Sequence, residues 1–343
     1  MSINAITICA PTFDHSVSYG KIAWNVAKEL EKRGVWVNYI PGQRDAVLPD
    51  DRFRFTPYTL FMGHPTNFEK YGMLDKMNSC IAVTMWESTL FPDGWTTALN
   101  NLKGVVVPSE WCEDIFKRNV VTVPIMTSPL GLDPEFTFKS RTLNPGERFR
   151  VLTIGDRGNR RNWWGACRVF GRAFGVEDMS VEMIIKVHAD KGSDDDFRHN
   201  FLDPNFTLIK QNLSTQEMAE LFQSCHVLLY PARGEGFGLP PLEFLRTGGV
   251  AICTDYSGLK WSVDFGAIPI PYELQPAWQG SEDFEGCGNW AEPDLAAAVT
   301  ALKNVRESYS EFTATSETQA KNVAGYFTWE KFVTDLMVFW EGL

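Results

Sequence analysis

The sequence predicts an α/β protein made of two doubly wound domains, and three observations carry that expectation. The chain has 343 residues, more than the roughly 250–300 at which one hydrophobic core stops growing. Residues 3–40 read strand, loop, amphipathic helix, strand, which is how a parallel α/β domain opens. The same order restarts at Phe149, after a polar segment (139–148) that carries Pro145 and Gly146 and reads as a linker. Residues 1–140 and 148–325 are therefore the expected domains.

In the first domain, residues 3–10 form an apolar strand, followed by the loop PTFDHSVSYG. A helix is expected over 21–33, because Ile22, Val26 and Leu30 recur at four-residue spacing and Gly34 stops it. A strand follows over 35–40, and further apolar runs at 58–62, 80–85 and 104–107 read as strands. Ser109 is placed to cap a helix over 110–118. Loops at the C-terminal ends of parallel strands carry function in such domains, which makes Asp14, His15, Ser18, Tyr19 and Gly20 candidates.

The second domain opens with a strand over 149–154, an arginine-bearing loop (Gly155 to Asn162, with Arg157, Arg160 and Arg161) and a helix over 163–174. Strands are expected over 181–187 and 206–209, and a helix over 212–224 with Ser214 and Glu217 spaced as a capping box. Lys186 and His188, at the end of the first of these strands, either reach a ligand or are structural. The run 226–230 is a buried strand, and 250–253 another. Residues 272–292, with Trp278, Gly280, Gly286, Gly288 and Trp290, show no regular pattern. A helix over 293–305 and an apolar-faced helix containing Trp329, Phe332, Val333 and Leu336 close the chain.

Bulk properties exclude several classes. The composition is 44% hydrophobic with 12 Trp and 24 Phe, ample for two cores. No apolar run approaches the roughly 20 residues needed to span a bilayer, and the N-terminal residues read as a strand rather than a signal segment. Seven scattered cysteines, several within apolar runs, fit reduced core residues of a cytoplasmic protein, and no spacing suggests zinc. The net charge is −11, unevenly spread: residues 1–145 hold 14 Lys and Arg against 15 Asp and Glu, residues 146–343 hold 18 against 28. An acidic second half disfavours non-specific binding to nucleic acid, an argument that is weak for the near-neutral first half.

The richest stretch is YPARGEGFGLPPLEFLRTGG, residues 230–249. It leaves a strand, passes Gly234, Gly236 and Gly238, and enters a short helix over 242–247 whose start is marked by Pro240 and Pro241. A strand–glycine loop–helix junction offers backbone N–H groups and the positive end of a helix dipole to an anion. Glu235 and Glu243 sit inside that junction with seven residues between them. A carboxylate repels phosphate, so these acids suit sugar or ribose hydroxyls beside a diphosphate. Otherwise Glu243 simply favours a helix N-terminus and Glu235 is solvated.

EGFGLPPLEFLRTGGVAICTDYSG resembles the Glu-x7-Glu signature of glycosyltransferase family 4, retaining enzymes that use nucleotide sugars. The resemblance implies the GT-B fold, two Rossmann-like domains facing across a cleft, with the C-terminal helix (326–343) packing back on the N-terminal, acceptor-side domain. It gives Glu243 the donor's ribose hydroxyls, sets Glu235 beside the transferred sugar, and brings the backbone of Gly236, Phe237, Gly238 and Leu239 against sugar and phosphate. Relatives carry an Arg directly after the glycine matching Gly155 and a Lys five residues later. Here Asp156 displaces the first cation to Arg157, and Arg161 falls at the lysine's spacing. A Gly-containing loop beside donor phosphates implicates Tyr19 and Gly20, with Asp14 and His15 towards the acceptor.

Relatives also place a histidine on the sugar where this chain has Trp86 followed by Glu87. Glu87 could bond a sugar or acceptor hydroxyl and Trp86 could stack on a sugar face, or both are structural. The loop over 256–259 could touch donor or acceptor. No cofactor or metal is expected: Asp194-Asp195-Asp196 contains an Asp-x-Asp but reads as a polar surface loop. The expected activity is transfer of a sugar from a nucleotide-diphosphate donor to a saccharide, a small molecule or a hydroxymethylated base in phage-type DNA. Arg52-Phe53-Arg54-Phe55 leaves the DNA acceptor open, and a lipid is disfavoured because no amphipathic basic helix is present. The alternative is a nucleotide-sugar-binding protein of the same fold that has lost catalysis.

Overall fold

The computed structural model describes residues 3–12, 18–41, 56–65, 67–68, 74–155, 159–175, 177–187, 205–277 and 284–343. Asp14, His15, Asp156, Arg157, His188, Trp278, Gly280, the Arg52 to Phe55 run and Asp194 to Asp196 lie outside the described residues. The chain divides into two compact units. One comprises Met1–Trp86, Leu90–Gly131 and Phe327–Leu343; the other comprises Glu87–Thr89 and Leu132–Tyr326.

The first unit is a six-stranded parallel sheet in the order β2-β1-β3-β4-β5-β6. Its strands are β1 (Ala5–Ala10), β2 (Trp36–Pro41), β3 (Thr59–Met62), β4 (Cys80–Val83), β5 (Gly104–Val107) and β6 (Ile125–Thr127). Helix α1 (Ser18–Lys32) lays Ile22, Ala23, Val26, Ala27 and Leu30 against the sheet. It ends where Gly34 takes φ 77°, with Val35 N donating to Leu30 O and Gly34 N to Glu31 O, both orphan carbonyls satisfied at one turn. The helix starts three residues earlier than its apolar spacing indicates, so Ser18, Tyr19 and Gly20 form its first turn rather than a loop. After α2 (Trp95–Asn100) comes α3 (Glu110–Arg118), capped as expected by the Ser109 side chain on Cys112 N.

In the second unit the order is β12-β11-β10-β7-β8-β9, again parallel. The strands are β7 (Phe149–Gly155), β8 (Val181–Val187), β9 (Phe206–Lys210), β10 (Val227–Tyr230), β11 (Val250–Thr254) and β12 (Ile268–Ile270). They alternate with α4 (Trp163–Phe174), α5 (Thr215–Ser224), α6 (Leu239–Arg246) and α7 (Lys260–Asp264). Side chains of β7, β8, β10, β11 and α4 share one buried core with Ala298, Leu302 and Val305 of α8 (Leu295–Glu307). The segment without a regular pattern contributes an antiparallel pair, β13 (Tyr272–Pro276) with β14 (Asn289–Pro293). Its signal is weak because all five residues of β13 are exposed, so no apolar alternation marks it. Strand order reverses between β7 and β10. In open parallel sheets ligands bind beyond the strand C-termini at that point.

After α9 (Tyr309–Thr313) and α10 (Ser316–Tyr326), the last helix α11 (Trp329–Gly342) belongs to the first unit. Arg33 Nη2 donates to Glu330 O at 2.8 Å and to Thr334 Oγ1 at 2.9 Å, and Ser128 Oγ donates to Asp335 Oδ2 at 2.8 Å. A Cβ on Gly131 would lie 2.3 Å from Trp329 N, so only glycine admits the helix start there.

Candidate active site

The site of the second unit is assembled where β7 and β10 end. Strand β7 stops at Gly155, whose missing Cβ leaves room for Trp163; a Cβ there would lie 2.5 Å from the indole. The short 3-10 turn Asn159–Arg161 follows, and Asn162 then caps α4 in a left-handed conformation (φ 48°). Its side chain accepts from Gly165 N at 3.2 Å and donates to Pro231 O at 3.0 Å, which ties the arginine turn to the end of β10. Asn tolerates positive φ better than other residues with a Cβ, and its amide supplies both bonds.

Strand β10 ends at Tyr230, and the glycine loop carries the chain to α6. Gly238, at φ 87°, is the N-cap, so α6 begins at Leu239 and not at Leu242. Glu243 is therefore its fifth residue and opens the second turn. Pro240 and Pro241 lack N–H groups, so the first four helical residues keep only the amides of Leu239 and Leu242 as donors.

Glu235 is the centre of the charge arrangement and is 8% exposed. The fully buried Tyr230 hydroxyl donates to its Oε1 at 2.7 Å. Arg160 Nη1 lies 2.9 Å from Oε2 and donates at 2.6 Å to Gly234 O; Arg161 Nε lies 3.6 Å from Oε1. Arg160 Nη1 is also 3.9 Å from Glu87 Oε1. Burial, then the Glu235 charge, pushes the Tyr230 phenol well above its usual range, so it stays a donor. Lys186, 7% exposed at the end of β8, donates to Val187 O at 3.1 Å. Its ammonium is held below the usual lysine range by burial first and by Arg161 second. Two arginines and two carboxylates thus lie together with mostly buried side chains, where charge interactions outweigh those at a surface.

The backbone of Glu235 is braced as well. Its N–H donates to Ser257 Oγ at 2.9 Å and its carbonyl accepts from Gly258 N at 2.8 Å. Ser257 holds φ 57°, an uncommon conformation for a non-glycine residue that the two flanking contacts keep in place. A Cβ on Gly258 would sit 2.4 Å from Gly236 O. Glu243, 5% exposed, faces Arg246, whose guanidinium is lowered by burial and raised by Asp133, Glu243 and Glu135.

Of the site residues picked from the sequence, the structure brings Glu235, Arg161, Glu87, Gly155 and the loop Gly236, Phe237, Gly238 and Leu239 to one end of one sheet, with Glu243 a turn further on. The candidates of the first unit stand differently. The Tyr19 hydroxyl is 3.4 Å from Thr84 Oγ1 and accepts from Met85 N at 3.3 Å, and Gly20 is buried within α1. Trp86 is 1% exposed. Its indole donates to Leu90 O at 2.7 Å and its ring packs on Trp95 at 4.7 Å and His64 at 6.2 Å, so its surface is spent on the core of that unit. Sequence reading gives Tyr230 no role, names Arg160 only as a member of the arginine loop, and holds Ser257 only within the 256–259 loop. The available signal was positional: Arg160 adjoins the matched cation and Tyr230 ends the strand that delivers the loop.

Among the described residues no group of His, Cys, Asp and Glu could hold a metal ion, and no helix is long and apolar enough to cross a membrane.

Residues 201–265 match the family model described as glycosyl transferases group 1. No curated protein sequence matches the chain. Among solved structures, sucrose-phosphate synthase from Thermosynechococcus elongatus superposes with a TM-score of 0.73 at 13% identity over 99% of this chain and 98% of that one. Anabaena HepE, solved with UDP and glucose, gives 0.71 at 9% identity over 99% and 100%. The UDP-forming α,α-trehalose-phosphate synthase from Burkholderia vietnamiensis gives 0.68 at 11% over 99% and 99%. At these identities the likeness is one of fold, and that fold is GT-B. The group 1 segment contains Tyr230, Glu235, the glycine loop and Glu243, and the chain that carries it is a glycosyltransferase of the GT-B type.

Proposed function

We propose that the protein moves a glycosyl group from a nucleoside-diphosphate sugar to an acceptor hydroxyl with retention at the anomeric carbon. The observation that carries this reading is Glu235, a buried carboxylate fixed by Tyr230, Arg160 and Arg161 at the mouth of the α6 N-terminus. A carboxylate so oriented accepts sugar hydroxyls, while the cations beside it meet a diphosphate. Glu243 takes the ribose hydroxyls. As the bond from anomeric carbon to β-phosphate oxygen breaks, negative charge gathers on the leaving diphosphate, and Arg160, Arg161 and Lys186 stabilise it there. The new bond forms from the acceptor oxygen to the same carbon, and the acceptor proton leaves on the diphosphate. No side chain serves as a nucleophile in this account. The diphosphate charge is met by side chains and the helix dipole, so turnover continues in EDTA.

Anabaena HepE was solved with UDP and the Burkholderia vietnamiensis synthase is UDP-forming, which makes UDP-sugars the first donors to try. Mass spectrometry of products from a donor panel with saccharides, small-molecule alcohols and hydroxymethylated DNA tests the reading. Glycosylated product from one pairing supports it. Tight donor binding with neither transfer nor donor hydrolysis would mean a binding protein instead.

A further inference from the structure

Arg233 stands two residues before Glu235 and joins three separate segments. Its Nε and Nη2 reach Glu292 Oε2 and Oε1 at 2.5 and 3.0 Å, a bidentate fork. Its Nη1 donates to Asn159 O at 2.5 Å and its backbone N to Arg160 O at 2.7 Å. Its own carbonyl accepts from Ala291 N at 2.8 Å, and its guanidinium lies over Trp290, 5.9 Å from the ring centroid. One residue is thus bonded twice to the arginine turn and three times to β14. The side chains are 11% and 30% exposed, so the pair is shielded from the screening that weakens surface ion pairs.

The same hairpin edge also holds Glu87–Thr89. Thr89 N donates to Asn289 O at 3.0 Å, Asn289 N to Thr89 Oγ1 at 2.7 Å, and Ser88 Oγ to Cys287 O at 2.7 Å. A Cβ on Gly234 would lie 2.2 Å from Glu87 O, so this segment runs directly against the glycine loop. The hairpin end is therefore a template with Glu87 on one side and Arg160 on the other.

We propose that Arg233 and Glu292 are positioning residues for the transfer reaction. Through this pair the β13–β14 hairpin fixes the carbonyls of the Asn159–Arg161 turn, and so the points from which Arg160 and Arg161 reach Glu235. The turn is three residues long and its first two carbonyls both accept from Arg233. Without Glu292 the plane of the guanidinium is no longer set, and the turn loses its outer support. The proposal rests on the reading of Glu235 and the two arginines as the reaction site.

The test uses the full chain with Arg233→Lys, Glu292→Gln and the double variant. Lys keeps the charge without the fork, and Gln keeps the shape without the charge. With a donor that the native protein turns over, each single change is expected to lower kcat by about 10- to 100-fold, the scale of a small misplacement of reacting groups. Acceptor KM stays within about twofold and Tm within about 3 °C. The double variant is expected to be no slower than the worse single one, because both break one link. Unchanged kcat, a loss that follows Tm, or multiplying effects in the double variant would overturn the proposal. If the native protein turns over no donor, the reaction reading fails separately, and hydrogen exchange decides the positioning claim. Amides of 159–162 should exchange at least about tenfold faster in Glu292→Gln, and equal exchange would refute it.

Discussion

The two ends of β10 bury ionisable groups in opposite ways. At its start, His226 is 3% exposed, and each of its polar groups meets a local partner. Its Nδ1 accepts from Arg150 N at 3.0 Å, its own N–H donates to Arg150 O at 2.9 Å, and its carbonyl accepts from Val250 N at 3.2 Å. Phe149 stacks on the ring at 5.5 Å. Nearby Arg141, 8% exposed, donates to Phe222 O and Thr247 Oγ1, both at 2.8 Å, and burial brings its guanidinium down to about 10. Glu147 Oε1 lies 3.5 Å from His226 Nε2, and this end otherwise holds its polar groups by backbone, the Thr247 hydroxyl and rings. At the other end, Tyr230 from the strand itself and Arg160 and Arg161 from the Asn159–Arg161 turn converge on one carboxylate of the glycine loop. Charge converging from separate elements costs desolvation that a packed apolar core would not, and its return is a preorganised site. Under the proposed function, the strand serves stability at its N-terminal end and chemistry at its C-terminal end.

If that contrast holds, changes at the two ends affect different quantities. The largest effect is expected from Glu235→Gln, which keeps the shape and removes the charge: turnover falls by about 100-fold or more, while Tm stays close to native. Arg161→Ala comes next. It lowers kcat more than donor affinity, by about tenfold to 100-fold, because the leaving charge grows only in the transition state. Steady-state kinetics beside calorimetry of the nucleoside diphosphate separate the two terms, and equal small changes in both would place Arg161 among surface residues. Glu243→Ala is expected to weaken donor binding by roughly 1.5–3 kcal/mol, the scale of a charged hydrogen-bond partner lost. Unchanged affinity for nucleoside diphosphate would reject the ribose assignment.

The smallest effect belongs to the opposite end of the strand and changes stability only. Burial first, then Arg141 and Arg150, hold the His226 imidazole below its ordinary 6.5, against Glu147 and the Thr142 carbonyl. The folded state therefore binds fewer protons here than the unfolded one. Its contribution is complete above pH 6.5 and is lost as pH falls from there through the lower folded value. His226→Asn, which keeps an acceptor for Arg150 N, should flatten that acid slope in thermal melts at a cost of roughly 1–2 kcal/mol at neutral pH. A slope as steep as native would put the titration elsewhere. Turnover by the folded fraction should not change.

Much of this contrast is legible in the sequence. The helix cap at Ser109, the capping box at Ser214 and Glu217, and the bounds of α4 and β8 follow from local rules, since side chains a few residues apart determine them. The expectation of an anion and hydroxyl site at the glycine loop and its two glutamates rests on local spacing in the same way. Arg160, Ser257 and the Arg233–Glu292 fork do not follow, because each acts through residues 22 to 75 positions away. Strand β13 is exposed along its length and gives no periodic signal. Trp86 was open to either reading, because a Trp after a strand looks the same in sequence whether its ring meets a sugar or a core.

The central claim is that the charges gathered at the end of β10 carry out transfer with retention. Proton NMR of the product made from an α-linked UDP-sugar and its accepted alcohol tests it most directly. The account predicts an α-linked product, read from the anomeric coupling constant, and its loss in Glu235→Gln. A β-linked product, or undiminished α-product from Glu235→Gln, would contradict it.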